Sequence, residues 1–119
     1  MKYYVVIYDV ENTCLGRTYY TQLHRIFGKK TTANKYAKSV LNASVSERED
    51  DYVTFDATSP FSSIDFTEFD CLGRLFNARG QSEGTAYGVK GDKNAVKAYN
   101  KYTSRMNERQ NAYYSQKWV

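Results

Sequence analysis

The alternation of apolar and polar residues divides this chain into short strand-like runs and two helical stretches. Lys2 to Val10 is dense in β-branched and aromatic residues and predicts a strand. Because Val5, Val6 and Ile7 are consecutive, both of its faces are apolar, as in a central strand. Glu11 to Gly16 reads as a loop, and Thr18 to Phe27 resumes strand character, so the two runs are expected to pair as a hairpin. Tyr19, Thr21, Leu23 and Arg25 then share one face, and Tyr20, Gln22, His24 and Ile26 the other. After Gly28-Lys29-Lys30, Thr31 or Thr32 is placed to cap a helix with Ala33, Tyr36, Ala37, Val40 and Leu41 as its apolar stripe.

The middle of the chain is more polar. Ser44 to Asp51 reads as a loop, Tyr52 to Phe55 as a short strand, and Thr58 to Ser63, which holds the only proline, as a turn. Ile64 to Asp70 alternates apolar and acidic residues, which predicts a strand displaying Asp65, Glu68 or Asp70 in a row. Leu72 to Ala78 and Thr85 to Val89 read as a hairpin around Arg79 to Gly84, weakened by Gly73, Gly84 and Gly88. Gly91-Asp92 then caps a long helix over 92–117. Ala95, Val96, Tyr99, Tyr102, Met106 and Tyr113 fall on one of its faces, and Lys93, Lys97 and Lys101 near the opposite one.

These elements predict an α+β fold in one domain, a mainly antiparallel sheet with two helices packed on one face. A shift of 63 residues superposes Gly28 on Gly91, Lys30 on Lys93, Tyr36 on Tyr99 and Lys38 on Lys101, which points to a duplicated ββα unit.

Charge changes the picture more than composition does. The net +4 conceals a segregation: Ser44 to Asp70 holds eight acids and one base, and the rest holds sixteen bases and five acids. The acids Glu47, Glu49, Asp50, Asp51, Asp65, Glu68 and Asp70 are candidates for an acidic surface facing a basic protein partner. The cations Lys93, Lys97, Lys101, Arg105 and Arg109, with Lys35 and Lys38, are candidates for a nucleic-acid contact. Twelve tyrosines supply rings that can stack on bases or meet a partner. Either the acidic segment folds over the lysines and neutralises them, or it lies elsewhere and leaves a binding surface; the second is expected.

Catalytic signatures are few. His24 is the only histidine, Cys14 and Cys71 are far apart and read as reduced thiols, and Gly80 to Gly84 lacks the lysine of a phosphate loop. Asp9 ends an apolar strand, where a carboxylate can hold a metal. Val5 to Asp9 resembles the opening strand of Cas2-type nucleases, and Ile7 to Asn12 resembles the start of PIN-like (NYN) nucleases, implying metal-dependent phosphodiester cleavage around Asp9. The resemblance is confined to this strand, and the chain departs from both families in following it with a second strand instead of a helix.

In its small size, odd composition and lack of catalytic motifs, the whole chain resembles the small phage-encoded proteins that inhibit host machinery, including anti-CRISPR and other anti-defence proteins. That resemblance is one of character and carries no motif residues. It implies a non-catalytic inhibitor that binds nucleic acid or a nucleic-acid-processing host complex, in the host cytoplasm, without cofactor or metal. The alternatives are a small nuclease around Asp9 and a structural homo-oligomer joined through exposed tyrosines. No apolar run is long enough for a membrane span and no signal segment precedes the first strand, so a soluble monomer or homodimer is expected.

Overall fold

In the computed structural model the first apolar run opens a hairpin longer than its pattern implies. β1 (Lys2–Cys14) and β2 (Arg17–Phe27) pair antiparallel from Tyr4↔Phe27 to Cys14↔Arg17. Leu15 and Gly16 join them with φ of 52° and 75°, the left-handed pair that a two-residue hairpin turn requires. The loop expected over 11–16 is therefore largely strand. Most of this arm faces solvent on both sides, so no apolar alternation marks it; cross-strand bonds such as Asn12 Nδ2 to Thr21 Oγ1 (2.8 Å) hold it instead.

The remaining elements are α1 (Lys30–Ala37), β3 (Leu41–Glu49), β4 (Val53–Phe55), β5 (Ser62–Ile64), β6 (Phe69–Phe76), β7 (Ser82–Val89) and α2 (Lys93–Lys117). The structure describes residues 1–77 and 79–117, without the side chains of residues 110 and 113–117, so Ala78 and the Tyr113 side chain lie outside the described set. The fold is α+β, with two helices and mostly antiparallel sheets, as expected. Its contacts cluster into two compact units, one formed by residues 2–50 and 57–69, the other by Met1, 51–56 and the chain from Asp70 onward.

In the first unit the strand order is β3-β1-β2-β5, with β5 parallel to β2. β1 is central, as its two apolar faces predict. Val6, Tyr8, Phe27 and Ala33 form a buried cluster, against which Tyr4, Leu23, Tyr36, Val40 and Val45 pack. α1 ends at Ala37, earlier than its stripe implies, so Val40 reaches the cluster from the turn and Leu41 opens β3 exposed. β3 replaces the loop expected from Ser44. It is an edge strand paired with β1 from Lys2↔Glu49 to Asp9↔Leu41, and its charges suit an edge that must not recruit another strand.

Neither Thr31 nor Thr32 caps α1 as expected. The cap position is Lys29, without a side-chain cap bond. Glu68, remote in sequence, supplies the missing acceptor. Its carboxylate accepts from the backbone N–H groups of Gly28 (2.7 Å) and Lys29 (3.0 Å) and from the Thr32 hydroxyl. A carboxylate at this end also meets the positive end of the helix dipole. The acidic strand expected over Ile64 to Asp70 is thereby broken into β5, a turn and β6. Asp65 closes the turn on itself, its Oδ1 accepting from Thr67 N (3.0 Å) and Oγ1 (2.6 Å).

The second unit is a sheet of order β4-β7-β6 with α2. The β6–β7 turn comes earlier than the sequence suggests because Asn77 Oδ1 accepts from the N–H groups of Arg79 (2.9 Å) and Gln81 (3.0 Å). The strand glycines provide space for α2. A Cβ on Gly88 lies 2.9 Å from that of Ala95, and one on Gly73, where φ is +147°, lies 2.2 Å from Tyr99 Oη. Gly73→Ala is expected to cost about 2 kcal/mol through overpacking and the loss of the Tyr99 bond, read as a lowered urea midpoint.

The 63-residue echo coincides with the starts of the helices, Lys30 and Lys93, each of which follows a pair of neighbouring strands. Their surroundings differ. β2 is flanked by β5 in parallel, whereas β7 is flanked by β4 antiparallel. The strand-strand-helix order repeats, but the sheets do not.

Burial also sets an alkaline limit. Tyr3 and Tyr8 are both buried, and burial pushes each phenol up to about 12; the Asp50 carboxylate, which accepts from Tyr3 Oη, and Tyr36 beside Tyr8 add to the effect. A raised phenol favours the folded state while it stays neutral, so this stabilisation is complete below pH 10 and is lost as pH rises toward 12. Ultraviolet titration of the native protein is expected to show a delayed tyrosine class coincident with alkaline unfolding. Replacing Tyr3 and Tyr8 with Phe is expected to shrink that class to the other phenols raised by burial, Tyr52 and Tyr87.

Candidate nucleic-acid interface

The α2 helix starts where Asp92 Oδ1 accepts from Asn94 N (3.0 Å) and Ala95 N (3.2 Å), after a left-handed Gly91. Its inner side carries Ala95, Tyr99, Tyr102 and Met106. Ala95 and Met106 are buried, and the two tyrosines are half-buried and tied to β6. Tyr99 Oη donates to the Arg74 carbonyl (2.9 Å), while Tyr102 Oη donates to the Phe76 carbonyl (2.6 Å) and accepts from Phe76 N (2.9 Å). Val96, expected on this side, is 45% exposed, because one step past Ala95 turns it off the packed stripe.

The packed stripe of Ala95, Tyr99, Tyr102 and Met106 leaves most of the remaining helix surface to polar residues. Lys93, Lys97, Lys101, Arg105 and Arg109 are all exposed and stand four residues apart. Four residues rise about 6 Å and turn about 40° beyond a full circle, so the cations form a ridge about 24 Å long that winds about 160° round the helix, from opposite the packed stripe at Lys93 to its flank at Arg109. Among the described residues no ion pair occupies them. Glu108 is the acid that interrupts the helix near its basic end, and it too is exposed.

Beside the ridge lies a hollow of about 370 Å³ lined by Asp51, Tyr52, Ala98, Lys101, Tyr102 and Arg105. Tyr52 meets Tyr99 and Tyr102 with ring centroids 6.3 and 6.4 Å away, at steep angles. Its phenol is raised first by burial, then by Tyr102, Asp51 and Tyr99. The hollow sets aromatic rings beside two cations, with one carboxylate opposed to them. Tyr52 belongs to the short β4 approach and was legible only as a strand residue; its place beside Lys101 depends on long-range folding.

The other candidates are dispersed. Lys35 on α1 and Lys38 just after its end are exposed, in the first unit, whereas the ridge belongs to the second. The expected acidic surface is divided among several tasks. Glu47 and Glu49 are exposed on β3, Asp50 accepts from Tyr3, Asp51 lines the hollow, and Asp70 is exposed on β6. Asp65 is half-buried in its own turn, and Glu68 is 7% exposed as the α1 cap. Glu68 is therefore an internal support, not part of a partner surface.

Asp9 lies within β1, not at its end, and accepts from Asn42 Nδ2 at 3.1 Å. The chain continues into the antiparallel β2. His24 is half-buried in β2, and its backbone N–H donates to the Phe61 carbonyl. Cys14 and Cys71 are exposed free thiols. Among the described residues no three His, Cys, Asp or Glu side chains come together as a metal-binding group, and no helix is long and apolar enough to cross a membrane.

Arg25 was missed as a functional candidate. It shares a strand face with Leu23 and Phe27, which is the helix-covered face, and its guanidinium carbon stands 5.1 Å from the Tyr36 ring centroid and 5.6 Å from that of Phe27. A charged residue in register with core positions was the available signal. No protein-family model, curated protein or solved structure matches the chain.

Proposed function

We propose that this chain is a non-catalytic nucleic-acid-binding protein that holds phosphates along the outer ridge of α2. The observation that carries the reading is the run of five exposed cations at four-residue spacing, with no ion pair among the described residues. Cations that are not neutralised internally remain available to displace counterions from a phosphate backbone, and that release drives binding at moderate salt. Tyr52 and Tyr102 beside Lys101 and Arg105 give unpaired bases a place to stack, which favours single strands.

The reading predicts binding with little sequence preference, because lysines and arginines on a ridge contact phosphates and carry no base code by themselves. Affinities in the range of about 10⁻⁴ to 10⁻⁶ M at physiological salt are expected for such contacts. An inhibitor of a nucleic-acid-processing complex, as the resemblance to anti-defence proteins suggests, would use the same ridge by competing for the substrate strand. Equilibrium anisotropy with mixed-sequence single-stranded DNA, single-stranded RNA and duplex DNA tests the proposal. Saturable binding at low salt with the single strands ahead of the duplex supports it, and no binding to any of the three at low salt removes it.

A further inference from the structure

Arg25 is held in a way that leaves its charge unused within the protein. Its side chain lies against the rings of Phe27 and Tyr36, and its Nε is buried without a hydrogen-bond partner. A buried donor without a partner is costly, and a guanidinium held on a ring face can still bind an anion through its other N–H groups. The same guanidinium lines a hollow of about 350 Å³ together with Lys35 and Asp65. Among the described residues, neither cation forms an ion pair.

The other polar groups of the hollow are committed. Asp65 Oδ1 accepts from Thr67 N and Oγ1. The Thr32 hydroxyl is bonded to Glu68, and the Ser39 hydroxyl donates to the Tyr36 carbonyl at 2.7 Å. Two cations therefore remain with free donors, one a planar fork stiffened by two rings and the other a flexible ammonium on the exposed side of α1. A fork beside a point charge matches a tetrahedral phosphoryl group, which accepts two parallel bonds from the guanidinium and one from the ammonium.

We infer that this hollow is a phosphate-binding site of the first unit, formed by Arg25 and Lys35, for the phosphoryl group of a nucleotide. The phosphoryl group comes either from a free mononucleotide or from the phosphorylated end of a strand. Asp65, which lines the same hollow, has its second oxygen to accept from an N–H or O–H on the ligand, at the cost of some repulsion of the phosphoryl charge. The site does not depend on α2, so it stands or falls apart from the ridge.

Isothermal titration at low salt tests it with three probes: adenosine monophosphate, a tetranucleotide with a 5′-phosphate, and the same tetranucleotide with a 5′-hydroxyl. Saturation by the monophosphate identifies the free nucleotide; preference for the 5′-phosphorylated over the 5′-hydroxyl strand, without such saturation, identifies the strand end. In either case Arg25→Lys is expected to weaken binding at least tenfold, since it keeps the charge but loses the fork. The exposed Lys35→Gln, which leaves the core untouched, weakens it about fivefold, and Lys93/Lys97/Lys101→Glu leaves the phosphate-dependent part unchanged. Absence of phosphate-dependent binding by every probe overturns the site, as does full affinity in both Arg25→Lys and Lys35→Gln.

Discussion

Glu68→Ala is expected to destabilise the first unit by about 3 kcal/mol, the largest stability effect of any single change considered for this protein. The substitution leaves the N–H groups of Gly28 and Lys29 without their acceptor at the start of α1, and frees the Thr32 hydroxyl. The donors are partly buried, so each one left unsatisfied costs about 1 kcal/mol, and the helix dipole loses its counter-charge. α1 has eight residues and little intrinsic stability, so it relies on this cap and on Ala33 and Tyr36 in the cluster. Glu68→Gln keeps one oxygen and is expected to lose about half as much. Urea unfolding followed by far-ultraviolet circular dichroism measures both. An exposed partner-binding Glu68 would instead leave the midpoint within about 0.5 kcal/mol of wild type.

The triple change Lys93/Lys97/Lys101→Glu is expected to weaken nucleic-acid binding by at least a hundredfold at low salt, with little effect on folding. Three attractive contacts become three repulsive ones on a ridge whose remaining cations are Arg105 and Arg109. These residues are exposed, and the bonds that dock the helix on β6 come from Tyr99 and Tyr102, which the change leaves in place. Lys35/Lys38→Glu, on and just after α1, is expected to have a much smaller effect. Equal losses from the two sets of changes would mean that general charge, and not the α2 ridge, governs binding.

The parts of the fold legible in the sequence are those whose residues answer to local periodicity. The two-faced apolar run at Val5 to Ile7 marked a central strand. Gly91-Asp92 with the lysine row marked α2 and its exposed side. β3 was illegible because an edge strand needs few apolar residues; only Ala43, Val45 and Ser46 are even half-buried, and its pairing with β1 is a long-range event. The Leu15-Gly16 turn was hidden because a leucine occupies a left-handed position where asparagine or aspartate is the usual sign.

The candidate site divides in the same way. The basic ridge follows from spacing on one helix, and spacing is visible in a sequence. The role of Glu68 depends on a contact forty residues away, so its alternation with Asp65 and Asp70 suggested an exposed acidic row that the turn at Asp65 to Glu68 dissolves. Arg25 was placed on the correct face beside Leu23, yet the meaning of that position came only with α1 overhead, when Tyr36 and Phe27 closed around it.

The salt dependence of single-strand binding tests the central claim most directly. If Lys93, Lys97, Lys101, Arg105 and Arg109 each hold a phosphate, the logarithm of the association constant falls against the logarithm of salt with a slope near −3.5. Affinity then drops about a hundredfold between 50 and 200 mM. The triple lysine variant is predicted to show a slope shallower by about 2, whereas a wild-type slope near zero, or one unchanged in the variant, would contradict the assignment of the α2 ridge.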